Sequence, residues 1–234
     1  VVLGGHHPTL FPEKMLNSSA VDFVLRGEGE QSMPMLADLL KNAAPGAMPA
    51  SRELKKINGI GFRNHGQLYL NSPDWIDRLE SNPMPAFEKV DWTYYKRRKK
   101  TAITIVASRG CPFPCSYCAV SSSSCHGRFR LRPVSDILEE IRIQAETKDI
   151  GFIDFEDENL TLKKNWVLDL LTGIKNIFSD QSIELRAMNG LFPPSLDMDI
   201  LLAMKAAGFK TLNLSVGSFS SDQLTRFKRP DVRK

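Results

Sequence analysis

Residues 109–118 read Arg109-Gly110-Cys111-Pro112-Phe113-Pro114-Cys115-Ser116-Tyr117-Cys118, which places three of the chain's four cysteines in one short segment. Their spacing is C-x3-C-x2-C. Three thiolates from one segment can bind three irons of a cubic four-iron four-sulfur cluster and leave the fourth iron open. The spacing therefore predicts a metal centre with a free coordination position.

Two other uses of these cysteines have to be weighed. Disulfides fit poorly, because the spacings are very short and the chain is not a small secreted scaffold. A structural zinc site needs a fourth nearby ligand to close its tetrahedron. Cys125 and His126 could supply one, so a zinc site built on Cys111, Cys115 and Cys118 stays open as an alternative.

The composition narrows the class of protein. The 234 residues suffice for one large domain or two small ones. A hydrophobic content of 42% and a charged content of 25% are ordinary for a globular protein. The net charge of +4 is too small to argue for nucleic acid, and the basic run at residues 96–100 is either a polyanion contact or a solvated surface. Cysteines arranged for a cluster predict a reducing compartment, so the cytoplasm is expected.

Strand and helix patterns alternate along the chain after residue 100. Strands are predicted over residues 102–107, 152–155, 183–187 and 211–216, and helices over 135–145, 166–177, 195–207 and from 221 onward. Repeated βα units build a parallel sheet, with reactive groups at the carboxyl ends of its strands. The cysteine segment follows the first of these strands. We therefore predict the first four βα units of a partial TIM barrel, and a chain that is a fragment of a longer protein at both ends.

The first residues of the chain predict a separate α/β body. Residues 1–3 and 21–25 are typical of strands, and an apolar stripe through Met33, Leu36 and Leu40 predicts a helix. Gly4 and Gly5, at the end of the first strand, allow a tight bend or a close approach to a ligand. Residues 42–100 are interpreted as an interdomain linker with a hairpin at 60–70, turning at 64–66.

The cysteine segment, with the aromatic Tyr117 directly before its third cysteine, resembles the cluster loop of the radical S-adenosylmethionine (radical SAM) superfamily. The resemblance implies that Cys111, Cys115 and Cys118 bind a 4Fe-4S cluster and that Tyr117 packs near the adenine of S-adenosylmethionine. It also implies that this cofactor chelates the open iron, and that an electron from the cluster cleaves it to a 5'-deoxyadenosyl radical. An electron donor of the flavodoxin or ferredoxin type is then expected, with a small-molecule substrate.

The N-terminal residues carry a second resemblance. Gly4-Gly5-His6-His7-Pro8, followed by the segment 21–30, is similar to the last part of the cobalamin-binding domain in one radical SAM subclass. That domain is a doubly wound, Rossmann-like sheet, and the resemblance implies that Gly4 and Gly5 face the nucleotide tail of cobalamin. In that family an Asp-x-His-x-x-Gly segment upstream of these residues binds the cobalt or the nucleotide tail, and this segment is absent from the present sequence. The implied domains are 1–41 (cobalamin-binding-like), 42–100 (linker) and 101–234 (radical SAM barrel).

Further cofactor contacts are expected at the ends of the second and fourth predicted strands. A sulfonium cofactor with a free ammonium group needs acceptors, and Asp157 and Glu158 are the candidates after the second strand. Both could instead be acidic residues placed near a helix start. At the fourth strand Ser218 matches the family pattern, whereas Gly217 stands where the family has an acid.

The sequence thus favours a radical SAM enzyme that depends on cobalamin. Methyl transfer is the first expectation for its reaction, with cyclisation or rearrangement behind it. The rival interpretation is a non-catalytic zinc or nucleic-acid binding module that uses the four cysteines and the basic run.

Overall fold

The computed structural model describes residues 1–44, 46–122, 128–179 and 182–232. The fold is mixed α/β, and the chain divides into two compact units. The first unit comprises Val1–Asp77 with residues 117–122, and the second comprises Arg78–Ser116 with residues 128–232. In the described residues, no helix is both long enough and apolar enough to cross a lipid bilayer.

The first unit contains a sheet in the order β1-β2-β3-β4. Its strands are β1 (Val2–Leu3), β2 (Phe23–Leu25), β3 (Ile60–Asn64) and β4 (Gln67–Leu70), and its helices are α1 (His6–Leu10), α2 (Pro12–Leu16), α3 (Gly29–Asn42), α4 (Ser51–Leu54) and α5 (Ala119–Ser122). β1 and β2 pair in parallel, in agreement with the predicted α/β pattern. The short helices α1 and α2 were not predicted, because five residues carry too little periodicity.

The predicted hairpin is present and belongs to this first sheet. His65 and Gly66 join β3 to β4 with φ angles of 48° and 79°, as a two-residue type I′ turn requires. β3 also pairs antiparallel with β2, with Gly61 opposite Val24. A Cβ on Gly61 would come within 2.6 Å of the Val24 side chain, so only glycine fits between these strands. The hairpin therefore extends the N-terminal sheet and is not a free linker element.

The second unit contains a sheet in the order β10-β9-β6-β5 and a short ribbon of β7 and β8. Its elements are β5 (Lys96–Arg97), β6 (Lys100–Ile105), β7 (Ser108–Arg109), β8 (Arg130–Leu131), α6 (Val134–Thr147), β9 (Ile150–Phe155), α7 (Lys164–Ile177), β10 (Glu184–Arg186), α8 (Met198–Ala207) and α9 (Ser221–Arg226). β6, β9 and β10 are parallel. Three of the four predicted βα strands are thereby confirmed.

The helices of this unit follow their apolar stripes. Ile137, Ile141 and Gln144 lie on the buried face of α6, and Leu170 and Ile174 lie on that of α7. These faces share one core with the buried side of β6 and with β9, which is buried along nearly its whole length. A strand buried on both faces is the arrangement expected for the middle of a parallel sheet.

Three local predictions differ from the structure. Residues 211–216 make a single isolated parallel bridge, between Leu191 and Leu214, in place of the predicted strand. The helix predicted over residues 135–145 begins at Val134, after Pro133, and extends to Thr147. The helix predicted from residue 195 begins at Met198, because the Asp197 side chain caps it by accepting from the amide of Ile200.

Candidate metal centre

The cysteine segment begins where β6 ends. β6 pairs in parallel with β9, so the segments that follow Ile105 and Phe155 leave the sheet at the same edge. The amide of Glu156 donates to the carbonyl of Ile105 at 3.0 Å, which fixes the two exits side by side. Chemistry in parallel βα folds collects at this edge. The predicted location of the cysteine segment is therefore confirmed.

Arg132 holds the residues between the end of β6 and the cysteine segment. Its amide donates to the carbonyl of Ala107 and its guanidinium to the carbonyl of Val106, both at 3.0 Å. The guanidinium also pairs with the nearly buried carboxylate of Glu140 at 2.6 Å. Burial raises the pKa of Glu140, and the Arg132 charge opposes that rise. Arg132 therefore ties the strand exit to α6, a role that its sequence position did not predict.

Asp157 braces the same exit from the other side. Its carboxylate accepts from the Ser108 hydroxyl at 2.5 Å and from the amide of Ala107 at 3.2 Å, and the residue is 1% exposed. Burial raises its pKa to about 6 although both hydrogen bonds favour the charged form. The sequence placed Asp157 as an acceptor for a cofactor ammonium. In the structure its oxygens are engaged by the chain, and they position the start of the cysteine segment.

Glu158 and Asn159 contact the cysteine segment at Gly110 and Cys111. The Glu158 carboxylate accepts from the amide of Gly110 at 3.1 Å, next to Cys111. Gly110 has a φ of 84°, which glycine adopts readily. The amide nitrogen Nδ2 of Asn159 donates to Sγ of Cys111 at 3.1 Å. The 156–159 segment therefore contacts the Cys111 sulfur through the Asn159 side chain and the neighbouring Gly110 amide through the Glu158 side chain.

Cys115 is contacted from the end of α9. The Arg229 guanidinium donates to Sγ of Cys115 at 3.8 Å, and the amide of Ser116 donates to the carbonyl of Phe227 at 2.9 Å. Cys115 is buried and Cys111 is half-buried, and neither forms a disulfide. Two cysteines of the motif thus each receive an N–H donor on sulfur from a segment distant in sequence.

Cys118 and Tyr117 lie in the stretch that belongs to the first unit. The carbonyl of Cys118 accepts from the amide of Ser122 at 3.0 Å and from the Ser121 hydroxyl, which begins α5. Cys118 is a free, half-buried thiol, and Tyr117 is 55% exposed. Cys125 and His126, the ligands of the zinc alternative, lie outside the described residues.

The surroundings of two motif sulfurs favour the thiolate form. Among the described residues, no three His, Cys, Asp or Glu side chains converge as they would around one metal ion. A cubic cluster does not need such convergence, because each thiolate binds a different iron. N–H donors to sulfur, as on Cys111 and Cys115, stabilise thiolate rather than thiol. Cys111 and Cys115 therefore have surroundings that suit a thiolate ligand of a metal centre.

The other predicted contact residues lie further along the same unit. The Ser218 hydroxyl donates to Gln223 at 2.6 Å and accepts from the amide of Ser220 at 3.0 Å, beside the start of α9. Arg186, which was not among the predicted contact residues, pairs with Glu184 and lies over the ring of Phe152. Its guanidinium is therefore engaged by Glu184 and Phe152.

Sequence reasoning missed the role of Asn159 and did not identify Arg229 at all. Asn159 lies two residues after Asp157, so its proximity to the strand end was a usable signal. Arg229 is 114 residues from Cys115, and no local pattern links them. Its contact depends on the geometry at the end of α9.

Comparison with known proteins identifies similar sequences. Residues 105–234 match the family model described as the radical SAM superfamily. An uncharacterized methyltransferase of Pyrococcus horikoshii is 31% identical over 94% of this chain and 46% of its own length. The anaerobic magnesium-protoporphyrin IX monomethyl ester cyclase of Synechocystis sp. is 29% identical over 70% of this chain and 31% of its own length. The chain thus spans less than half the length of these two curated relatives.

A solved structure has a similar fold. The radical S-adenosylmethionine methyltransferase TsrM of Kitasatospora setae, with tryptophan and an S-adenosylmethionine analogue bound, superposes with a TM-score of 0.75. The match covers 98% of this chain and 43% of that protein at 19% identity. Another structure of TsrM, with cobalamin and a [4Fe-4S] cluster bound, gives a TM-score of 0.71. At this identity the likeness concerns the fold.

Proposed function

Because the family match covers more than half of the chain, this protein belongs to the radical SAM superfamily, and we propose that Cys111, Cys115 and Cys118 hold a 4Fe-4S cluster. The observation that carries the proposal is the N–H donor on each of two motif sulfurs, from Asn159 and Arg229. These contacts arise at the carboxyl end of a parallel strand, where the family fold would place the centre. When bound, the cluster supplies an electron that cleaves S-adenosylmethionine reductively.

The protein's own residues position the cysteine segment and contact the cofactor. Asp157 and Arg132 fix the exit of β6, so that the cysteine segment starts from a rigid strand end. We assign Glu158 as the acceptor for the cofactor ammonium, since it is only half-buried and borders Cys111 through the amide of Gly110. Asp157 supports it from one residue away. Exposed Tyr117 is assigned to the adenine, and Ser218 to a hydrogen bond at the other end of the cofactor.

The finer architecture is also a proposal. Residues 101–234 form the first βα units of a partial TIM barrel, of which β6, β9 and β10 are the first three strands. Residues 1–41 form the end of a Rossmann-like cobalamin-binding domain, and 42–100 connect the two. Support comes from the parallel pair β1 and β2, and from the cyclase and methyltransferase names of the relatives.

Cobalamin is assigned to the N-terminal unit through its glycines. Gly5 has a φ of 93° and a ψ of −167°, a conformation that is essentially restricted to glycine, at the carboxyl end of β1. A Cβ on Gly5 would meet nothing within 4 Å, so the backbone faces open space that a ligand can approach. Gly4 lies beside it. These features fit the close approach of a nucleotide tail.

The reaction proposed for the complete protein is methyl transfer to a small molecule, with cyclisation or rearrangement as the second class. The methyltransferase of Pyrococcus horikoshii is similar over 94% of this chain, and the cyclase of Synechocystis sp., similar over 70%, represents the second class. A flavodoxin or ferredoxin is the proposed electron donor.

Anaerobic reconstitution of the complete protein tests this function. The proposal predicts about four irons and four sulfides per chain, and 5'-deoxyadenosine released from S-adenosylmethionine in the presence of dithionite. Cobalamin extracted from the purified protein would support the N-terminal assignment. A protein that holds one zinc and no cluster contradicts the proposal.

A further inference from the structure

We propose that Asn159 and Arg229 set the reduction potential of the cluster by donating hydrogen bonds to the sulfurs of Cys111 and Cys115. The inference rests on the proposed function, since it requires the cluster to be present. Both residues act through the cysteine ligands and are therefore positioning and tuning residues, not residues that touch the substrate.

Asn159 is placed rigidly for this role. It is 7% exposed and lies between Asp157 and Leu160, which are each 1% exposed. The Asp157 carboxylate is held by Ser108 and Ala107, so the backbone that carries Asn159 is tied to the exit of β6. Only the NH2 group of an amide side chain can donate to sulfur. The 3.1 Å distance from Nδ2 to Sγ of Cys111 is therefore a directed contact from a fixed side chain.

Arg229 is aimed by the way α9 ends. The amide of Lys228 donates to the carbonyl of Thr225 at 3.0 Å, and the amide of Arg229 donates to that of Leu224 at 2.9 Å. This pair of bonds is a Schellman motif, with Lys228 in the left-handed conformation at a φ of 52°. The motif turns the chain back, so the Arg229 side chain starts from a defined backbone direction.

Contacts along the guanidinium fix its head group. Nε donates to the carbonyl of Val216 at 3.2 Å, and Nη2 donates to the carbonyl and the hydroxyl of Ser215. Nη1 lies 3.8 Å from Sγ of Cys115. The bonds to Ser215 and Val216 are sufficient to order the side chain. The contact of Nη1 with sulfur therefore adds an electrostatic effect to an arginine that is already positioned.

The direction of the effect follows from the charge change on reduction. Reduction adds an electron to a cluster whose thiolates are already negative, so N–H donors and a nearby cation stabilise the reduced form more than the oxidised form. Both residues should raise the potential.

The test is a redox titration followed by electron paramagnetic resonance of the reconstituted protein. Asn159→Leu removes the donor, Asn159→Asp replaces it with a negative charge, and Arg229→Gln removes the charge but keeps an N–H donor. Asn189→Leu and Arg226→Gln are matched controls. Asn189 donates to Glu156, in the same loop as Asn159 but not to a cysteine. Arg226 is an exposed arginine at the end of α9, three residues before Arg229. Iron and sulfide are counted for every protein.

The expected order at position 159 is Asn, then Leu, then Asp, from the highest potential to the lowest. Each neutral substitution should change the reduction equilibrium about tenfold, which is about 59 mV for a one-electron couple. The controls should leave the potential unchanged. Because the two residues contact different cysteines, the Asn159→Leu/Arg229→Gln double variant should show roughly the sum.

The outcomes separate this inference from the proposed function. A parent protein without a cluster overturns both. This inference alone is overturned if the parent protein holds a cluster and the variants keep their iron, but their reduction potentials shift no further than those of the controls. If a variant does not retain the cluster, Asn159→Ala or Arg229→Met, each of which also removes the donor, takes its place, and an unchanged potential there also overturns it. A merely structural role would lower cluster content or thermal stability without ordering the potentials.

Discussion

Protonation of Asp157 tests how the cysteine segment is held. The carboxyl has an ordinary pKa of 3.8, and burial raises it to about 6 in the folded protein. The folded chain therefore holds this proton more tightly than the unfolded chain. The stabilisation that results is complete below pH 3.8 and is lost as the pH rises to about 6. The full difference is about 3 kcal/mol, of which roughly 1 kcal/mol is lost between pH 5 and pH 7.

The matched control is Asp157→Asn, which keeps the side-chain shape and cannot ionise. Denaturant unfolding of both proteins can be followed between pH 5 and pH 7 by the fluorescence of Trp92 and Trp166, which belong to the same unit as Asp157. Relative to Asp157→Asn, the wild type should lose about 1 kcal/mol of unfolding free energy over this range. Groups such as Glu184, whose pKa is lowered by its hydrogen bond with Arg186, are common to both proteins and cancel.

The 13C chemical shift of the Asp157 carboxyl carbon measures the same pKa independently. It should titrate near pH 6. A constant difference between the two proteins, together with a titration below pH 4, would refute the claim that burial dominates over the hydrogen bonds from Ser108 and Ala107.

Three further predictions concern single positions. Gly27→Ala should lose about 3 kcal/mol or more in thermal or denaturant unfolding, because its Cβ would lie 2.0 Å from the carbonyl oxygen of Asp74 at a φ of 88°; Gly29→Ala, with nothing within 4 Å, should be nearly neutral. Lys228→Gly should gain about 1 kcal/mol by relieving the left-handed conformation, whereas Lys228→Ala should not, since it keeps the Cβ. In reconstitution, Cys111→Ser, Cys115→Ser and Cys118→Ser should each lose iron, and Cys125→Ser should keep it; equal loss of iron from Cys125→Ser would contradict the three-cysteine assignment.

The placement of the cysteine segment could be predicted from the sequence because two independent patterns agree there. The β-branched run before it predicts a strand, and the thiol spacing predicts a metal loop. The structure confirms β6 as that strand and brings segment 156–159 to the same edge. Local composition is sufficient when a strand is long, buried and followed by a short motif.

The contacts that complete the site could not be predicted in this way. Whether residues 211–216 form a strand depends on pairing with a neighbour, and pairing is not written in the segment itself. Asp157 could be recognised as a chemically important acid, but only its burial shows that it braces the backbone. Arg229 reaches Cys115 because a lysine ends α9 in the left-handed conformation, where glycine is the usual signal.

The most direct test of a cluster with an open iron is electron-nuclear double resonance of the reduced, reconstituted protein with S-adenosylmethionine labelled with 15N in its amino group. A resolved 15N coupling to the cluster, absent from the Cys118→Ser variant, is the predicted result. A cluster whose spectrum does not respond to S-adenosylmethionine, or a protein that takes up a single zinc instead, would contradict the assignment of Cys111, Cys115 and Cys118.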